Sequence, residues 1–420
     1  MRIIEKGGSM KLKGSFALVL ACVMLLSGKV FASGVEDLAN LLAEKGVISY
    51  GQAQQIVTES NEQARQELLS GKSVLVPQWV QNMTFQGDLR LRAQTDWDSS
   101  NNSRLRERMR LRLGVETRPV EKMQIGFGLA TGSMGVSGTS VKDAEASSTN
   151  HTFEYMNKAP IMVDYGYIQY EPLEYLTVRG GKVKSKTQIW NTSDLLWDGD
   201  YNPDGVNATL KTSVSESSKF TANAGWYTFG EGKQGNLLAD AYILQPVIEF
   251  SRSDVKVKAG LAYQQFNFAG RTNAGTGIVK NYDYKVVNPS LSVDIDNAIG
   301  GLTFNIYGDF AQNIQNDMPK VNNEDAVTGY LAGIGLGHNK LDKFGTWQVK
   351  AMYRYLEQYA VPEGLGDSDA YGGKAGKGYE LTATFGLTKA LSFGIDYYQM
   401  TNIDGNVPKS LCQFDFVYKF

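Results

Sequence analysis

Arg106, Arg108, Arg110 and Arg112 stand at alternate positions of one short segment, and Arg90 and Arg92 repeat that spacing a little upstream. Each guanidinium is permanently charged, planar and rich in N–H donors, a shape that suits carboxylates and phosphates. Six of them so close together make a basic patch that can attract anions or filter ions, but not one that makes or breaks covalent bonds. Bond-making chemistry finds little support elsewhere. No Gly-x-Ser-x-Gly elbow and no Ser/His/Asp set falls in register, so an enzyme is not expected and no cofactor is called for. His151 and His338 are too few and too far apart to imply a metal site. Gly126-Phe127-Gly128-Leu129-Ala130-Thr131-Gly132 has the wrong spacing for a dinucleotide loop and no helix after it. Asp200-Tyr201-Asn202-Pro203-Asp204-Gly205 matches half of a calcium loop, yet Lys211 falls where the bidentate glutamate should be.

The arginines say what must carry them. In Met83–Gln94 and again in Arg104–Leu113, residues alternate between polar and mostly apolar with period two, the mark of a β-strand with unlike faces. Four successive inward arginines would be ruinous in a dry core, because an unpaired buried charge is very costly. The polar face must see water while the other sees oil. A closed barrel in a bilayer meets both demands. Arg106, Arg108, Arg110 and Arg112 are therefore expected on the lumen side, with Leu105, Met109, Leu111 and Leu113 toward lipid.

The N-terminus fits export. Lys11 and Lys13 precede an uncharged run from Gly14 to Gly28, and Val30-Phe31-Ala32 offers a cleavage site after Ala32, with Met10 the tidier start. A lipoprotein reading of Val19-Leu20-Ala21-Cys22 is weaker, since apolar residues follow the cysteine. Residues 1–32 are read as a signal peptide, 33–76 as a periplasmic helical hairpin, and 77–420 as the barrel. In the hairpin, Gly46 and Gly51 break the helical spacing, Ser49 is placed to cap the second helix, and Pro77 ends the segment. Loss of the signal takes away five basic residues and one acidic one, moving the net charge from −2 to −6, which argues against nucleic-acid binding. Cys412 is then the single cysteine, so no intrachain disulfide forms.

Sixteen strands are predicted, at 83–97, 104–117, 122–132, 161–171, 175–185, 205–214, 219–230, 237–251, 255–269, 281–295, 301–315, 325–338, 345–360, 377–388, 391–403 and 410–420. Each is long enough to cross a bilayer when tilted. Connections after even strands are short, while those after odd strands, notably 133–160, 186–204 and 361–376, are longer and polar. That alternation implies an antiparallel up-and-down barrel with both termini in the periplasm. In the last strand Cys412, Phe414, Phe416, Tyr418 and Phe420 alternate with polar or small residues. The aromatic series closing on Phe420 resembles the C-terminal signal read by the barrel assembly machinery.

Taken in order, these features resemble the putative-porin family of Gram-negative outer membranes. The residues that carry the resemblance are Leu42–Ser49, Phe85–Arg92, the Arg104–Arg112 ladder, Leu195-Leu196-Trp197-Asp198-Gly199-Asp200-Tyr201-Asn202-Pro203-Asp204-Gly205-Val206 and the terminal Phe420. The resemblance implies a passive, water-filled outer-membrane pore for small hydrophilic solutes and ions, without catalytic residues. A homotrimer is among the assemblies it allows. A phosphate-type anion channel that uses the arginines as a binding ladder is the alternative, and a structural or surface-interaction barrel a third reading.

Charge placement then points to a mechanism. Arg90, Arg92, Arg106, Arg108, Arg110 and Arg112 fall on neighbouring strands, whose like charges repel unless acids face them. Asp294, Asp309, Asp396 and Asp415 share the inward parity. The segment 186–204 combines Trp190, Leu195, Leu196 and Trp197 with Asp194, Asp198, Asp200 and Asp204, too apolar for a loop that only meets water. It is expected to fold into the barrel, with its apolar side chains on the wall and its carboxylates facing the arginines.

Overall fold

The computed structural model describes residues 39–69, 77–98, 103–132, 149–153, 156, 158–184, 189–230, 239–269, 282–403 and 405–420; the signal peptide expected at residues 1–32 lies outside them. The chain divides into two units, one up to Asn82 and one from Met83.

The first unit is helical. Residues 39–44 form α1, Tyr50–Leu69 form α2 and Gln78–Gln81 a single turn, α3. Ala39 and Ala43 pack on Ala53, with Ile48 and Val57 beside them, a contact that needs small side chains. Gly46 takes φ +70° just past α1, a conformation that costs a residue with a Cβ. The Gln52 N–H donates to Ser49 Oγ at 3.3 Å while the Ser49 N–H donates to Gln52 Oε1 at 2.9 Å. This reciprocal capping box fixes where α2 begins.

The second unit is a closed antiparallel sheet. Its strands are β1 (Thr84–Asp98), β2 (Ser103–Val120), β3 (Met123–Thr131), β4 (His151–Thr152), β5 (Ile161–Leu173) and β6 (Leu176–Lys182). There follow β7 (Asp204–Ser213), β8 (Ser218–Gly230), β9 (Ala239–Arg252), β10 (Val255–Asn267), β11 (Tyr284–Ile299) and β12 (Leu302–Asn313). The last are β13 (Thr328–Gly337), β14 (Trp347–Leu356), β15 (Gly376–Gly386), β16 (Leu391–Thr401) and β17 (Pro408–Lys419). Apart from β4, each strand pairs with its neighbours in sequence, and β17 returns to pair with β1, so sixteen strands close the ring. The two-residue β4 belongs to a long connection and only edges β2, with Thr152 opposite Arg108. Closure leaves no edge strand to satisfy.

The faces are inverted relative to a soluble protein. Leu105, Val163, Leu261, Phe414, Phe416, Tyr418 and Phe420 are exposed on the outside, while Gln94, Gln245, Gln264 and Gln413 are buried within. Period two thus sorts apolar residues outward and polar ones inward. At the seam the N–H and C=O of Phe420 bond to Gly87, and a Cβ on Gly87 would lie 2.6 Å from the Phe420 ring. A side chain there would also run into the Arg112 carbonyl oxygen, so both the terminal aromatic and the β1–β2 pairing would have to shift.

Tight turns occupy one end of the barrel, where β1 begins and β17 ends, and longer connections occupy the other. One connection at the tight end, residues 338–346, is longer than the spacing predicts. The third and seventh connections at the opposite end, L3 (residues 183–203) and L7 (residues 357–375), are the ones that matter for function. The sequence ran the strand before L7 on to residue 360, whereas β14 stops at Leu356. The reason is that Ala360, Val361 and Leu365 leave the wall and bury themselves in the lumenal core.

Candidate functional site

β1 and β2 lie side by side in a register that sets Arg90 opposite Arg110 and Arg92 opposite Arg108. Like charges directly opposite destabilise a sheet, so this wall needs counter-charges. They come from both sides. Asp88, on β1 itself, receives Arg110 at 3.0 Å and Arg112 at 2.6 Å. Asp96 receives Arg106 at 2.7 Å. Across the seam Asp415 takes two parallel bonds from Arg92, each 2.7 Å, and lies 3.7 Å from Arg90. Arg108 has neutral partners, Gln94 at 3.1 Å and Thr152 at 3.3 Å.

L3 crosses the lumen because its apolar residues find a partner on the far wall. Leu195, Leu196 and Trp197 are at most 3 % exposed. The Trp197 ring packs against Tyr227, Phe229 and Phe266, and its Nε1–H donates to Gln264 Oε1 at 2.7 Å. Upstream, the Trp190 N–H donates to Gln245 Oε1 and the Gln245 amide donates back to the Trp190 carbonyl. Thr192 and Ser193 both donate to Asp309, one of the inward acids the parity identified. A buried indole with its N–H satisfied gains the full benefit of its area.

L7 comes in from the other side and is bonded to L3 along the main chain. The Asp367 N–H donates to the Asp194 carbonyl at 2.9 Å and the Asp198 N–H to the Leu365 carbonyl at 2.7 Å. Tyr201 Oη donates to the Gly364 carbonyl at 2.7 Å. The carboxylate of Asp198 accepts the N–H groups of Asp200 and Ser368. Burial, with the charge of Asp200 next to it, pushes the Asp198 carboxyl up to about 7. Burial, with Asp369 and Asp198 beside it, also raises the Asp367 carboxyl well above its usual range. Two acids are thus held in a loop seam where ionising both is costly.

Between wall and loops lies a cavity of about 1140 Å³. Arg90, Arg92, Arg106, Arg108 and Arg110 line it on one side, and Asp194, Asp198 and Asp200 on the other. Asp200 reaches Arg110 at 3.8 Å. Arg112 stands below this space, half-exposed and held by Asp88. Asp204 departs from the expectation that all four L3 acids face the arginines. It opens β7 instead of ending the loop, and its exposed carboxylate pairs with Lys182 at 3.2 Å. Asp396 lines the cavity, while Asp294 accepts the Asn305 amide at 2.7 Å.

Sequence reasoning passed over several residues. Asp88 and Asp96 sit on the same inward parity as Arg90 and Arg92, so the alternation itself could have named them. Asp367 and Asp369, in a connection read as external, gave no such signal beyond the apolar Ala360, Val361 and Leu365 just before them. All told, ten Lys or Arg and nine Asp or Glu side chains line the cavity, Asp198 and Asp367 among the acids, so its walls carry both signs.

The chain can now be set beside known proteins. A family model described as putative porin matches residues 46–106, 97–231 and 263–420. Comparison with curated proteins returned no match. A high-pH structure of Pseudomonas putida OprB has a similar fold, with a TM-score of 0.54 at 10 % identity over 84 % of this chain and 97 % of that one. Salmonella typhi OmpF in complex with daunomycin gives 0.45 at 13 % identity, over 80 % and 97 %. Vibrio cholerae OmpT lacking its loop L8 gives 0.44 at 13 % identity, over 80 % and 99 %.

Proposed function

The chain belongs to the putative-porin family, and from that premise we propose that it is a weakly selective diffusion channel whose aperture is set between the β1–β2 arginines and the L3–L7 acids. As an outer-membrane porin it forms a transmembrane β-barrel channel. The observation that carries the finer reading is that one cavity is lined by the ladder arginines and by the loop acids Asp194, Asp200 and Asp369. Opposed charges across a narrow water-filled space create a transverse field. Such a field orders water and hinders apolar solutes, while small polar solutes and ions pass without being held.

The arginine ladder taken alone argues for an anion channel of phosphate type. Five of its six members, however, have a carboxylate within ion-pair distance. A neutralised ladder is a poor trap for phosphate, so the general channel is the better reading.

The tight-turn end faces the periplasm and the infolded loops open outward, so both termini are periplasmic. The Phe414, Phe416, Tyr418 and Phe420 series is the assembly signal, exposed to lipid once inserted. A homotrimer is among the assemblies that membership of the family allows. Single-channel conductance in planar bilayers tests the function: large and unsaturable current is expected. A small current saturable by phosphate would favour the anion channel, and no current would favour a structural barrel.

A further inference from the structure

We propose that the aperture carries a subsite for zwitterionic solutes of the amino-acid class, with Arg108 receiving the carboxylate and Asp369 the ammonium. This deepens the channel reading and rests on it. Among the described residues Arg108 is the ladder arginine with no carboxylate within ion-pair distance, its bonds going to Gln94 and Thr152. Its charge is therefore the one left over for a solute. Its register partner Arg92 already has its fork committed to Asp415, and its neighbours Arg106 and Arg110 are committed to Asp96 and Asp88.

Asp369 is the matching acceptor. It lines the same cavity and is linked to Arg108 through two amides: Gln94 Oε1 accepts from Arg108 and from Gln413, whose amide also donates to Asp369. Its Oδ2 accepts the Gln413 amide at 2.9 Å and lies 3.5 Å from the Arg92 guanidinium, and the side chain stays 29 % exposed. Its place is fixed before any solute arrives. The Asp369 N–H donates to Asp367 Oδ1 at 2.8 Å, and buried Arg354 donates to the carbonyl of the next residue, Ala370, at 2.6 Å. A receptor held this way loses little entropy on binding.

Chemistry narrows the solute. A simple anion drawn to Arg108 meets Asp369 and Asp194 across the gap. A simple cation drawn to those acids meets the ladder. A molecule with both charges a few ångströms apart satisfies both sides, through charge-assisted hydrogen bonds at each end.

The test uses the full-length protein in planar bilayers bathed in potassium chloride, with L-alanine as probe and acetate, methylammonium and glycerol as controls. Alanine is expected to reduce the ion current saturably, and the controls at equal concentration are not. Arg108→Gln and Asp369→Asn should each raise the half-blocking concentration about tenfold, the loss of one charge-assisted bond. Asp369→Glu should recover part of it. Heat-modifiable migration on a gel checks that each variant folds. Equal block by acetate, or no difference between alanine and glycerol, would overturn the subsite while leaving the channel reading intact. Absence of any ion current would overturn both.

Discussion

Arg92 and Asp415 face each other in register across the seam where the first and last barrel strands meet, joined by two parallel bonds of 2.7 Å. The side chains are 6 % and 8 % exposed, so the pair is shielded from bulk water. Removing one member strands the other charge. Asp415→Ala should destabilise the barrel by about 3 kcal/mol, the low end for a broken buried pair because Asp369 remains 3.5 Å from Arg92. Denaturant unfolding in detergent measures it, and a change within error would show that the seam is held by the strand ladder alone.

The docking of L3 rests on Trp197. Trp197→Ala removes a large buried ring and leaves Gln264 without its donor, at a cost of about 3 to 5 kcal/mol to loop docking. Deletion of residues 190–200 takes away the loop crossing outright. Both changes should raise single-channel conductance, the deletion more. A deletion channel no wider than the parent would exclude L3 from the aperture.

The seam between L3 and L7 should respond to pH. A carboxyl with a raised folded-state pKa keeps its proton while the unfolded chain has already lost one. Docking therefore weakens as pH climbs from the ordinary carboxylate range, about 4, toward the folded-state value. For Asp198 that value is about 7. Above it the aperture gains a negative charge, so cation preference should increase between about pH 6 and about pH 8. Reversal potentials under a salt gradient report the shift, and Asp198→Asn should flatten it.

Side-chain direction on β2 is open to chemical labelling. In a Cys412→Ser background, cysteines replacing Arg106 or Arg110 should react with membrane-impermeant thiol reagents through the pore. A cysteine replacing Leu105, whose side is exposed outside the barrel, should react with lipid-soluble reagents. The opposite pattern would mean a one-residue slip in register, which turns every side chain to the other face. Replacing the ladder arginines together by glutamine should move ion selectivity toward cations.

Much of this protein follows from the order of its residues. Alternation at Phe85–Gln94, at Arg104–Leu113 and along the final strand to Phe420 is a local property with period two. It specifies both strand and face without reference to anything distant. The count of sixteen follows from that, and so does closure, since an apolar outer face and a charged inner one leave few other folds. The apolar Leu195, Leu196 and Trp197 in an otherwise polar connection likewise signalled that L3 could not stay in water.

Tertiary structure decided what faces what. Asp88 serves Arg110 and Arg112 because β1 and β2 pair in one particular register, and Asp415 serves Arg92 because the ring closes between residues more than three hundred positions apart. L7 enters the lumen because L3 is already there to receive its main-chain bonds. Neither loop carries a pattern that names the other. Backbone hydrogen bonds are blind to side-chain identity, so that contact leaves almost no trace in sequence. For the same reason the distribution of charge around the cavity, with Arg108 bonded to neutral groups and its neighbours paired with carboxylates, becomes visible only once the ring has closed.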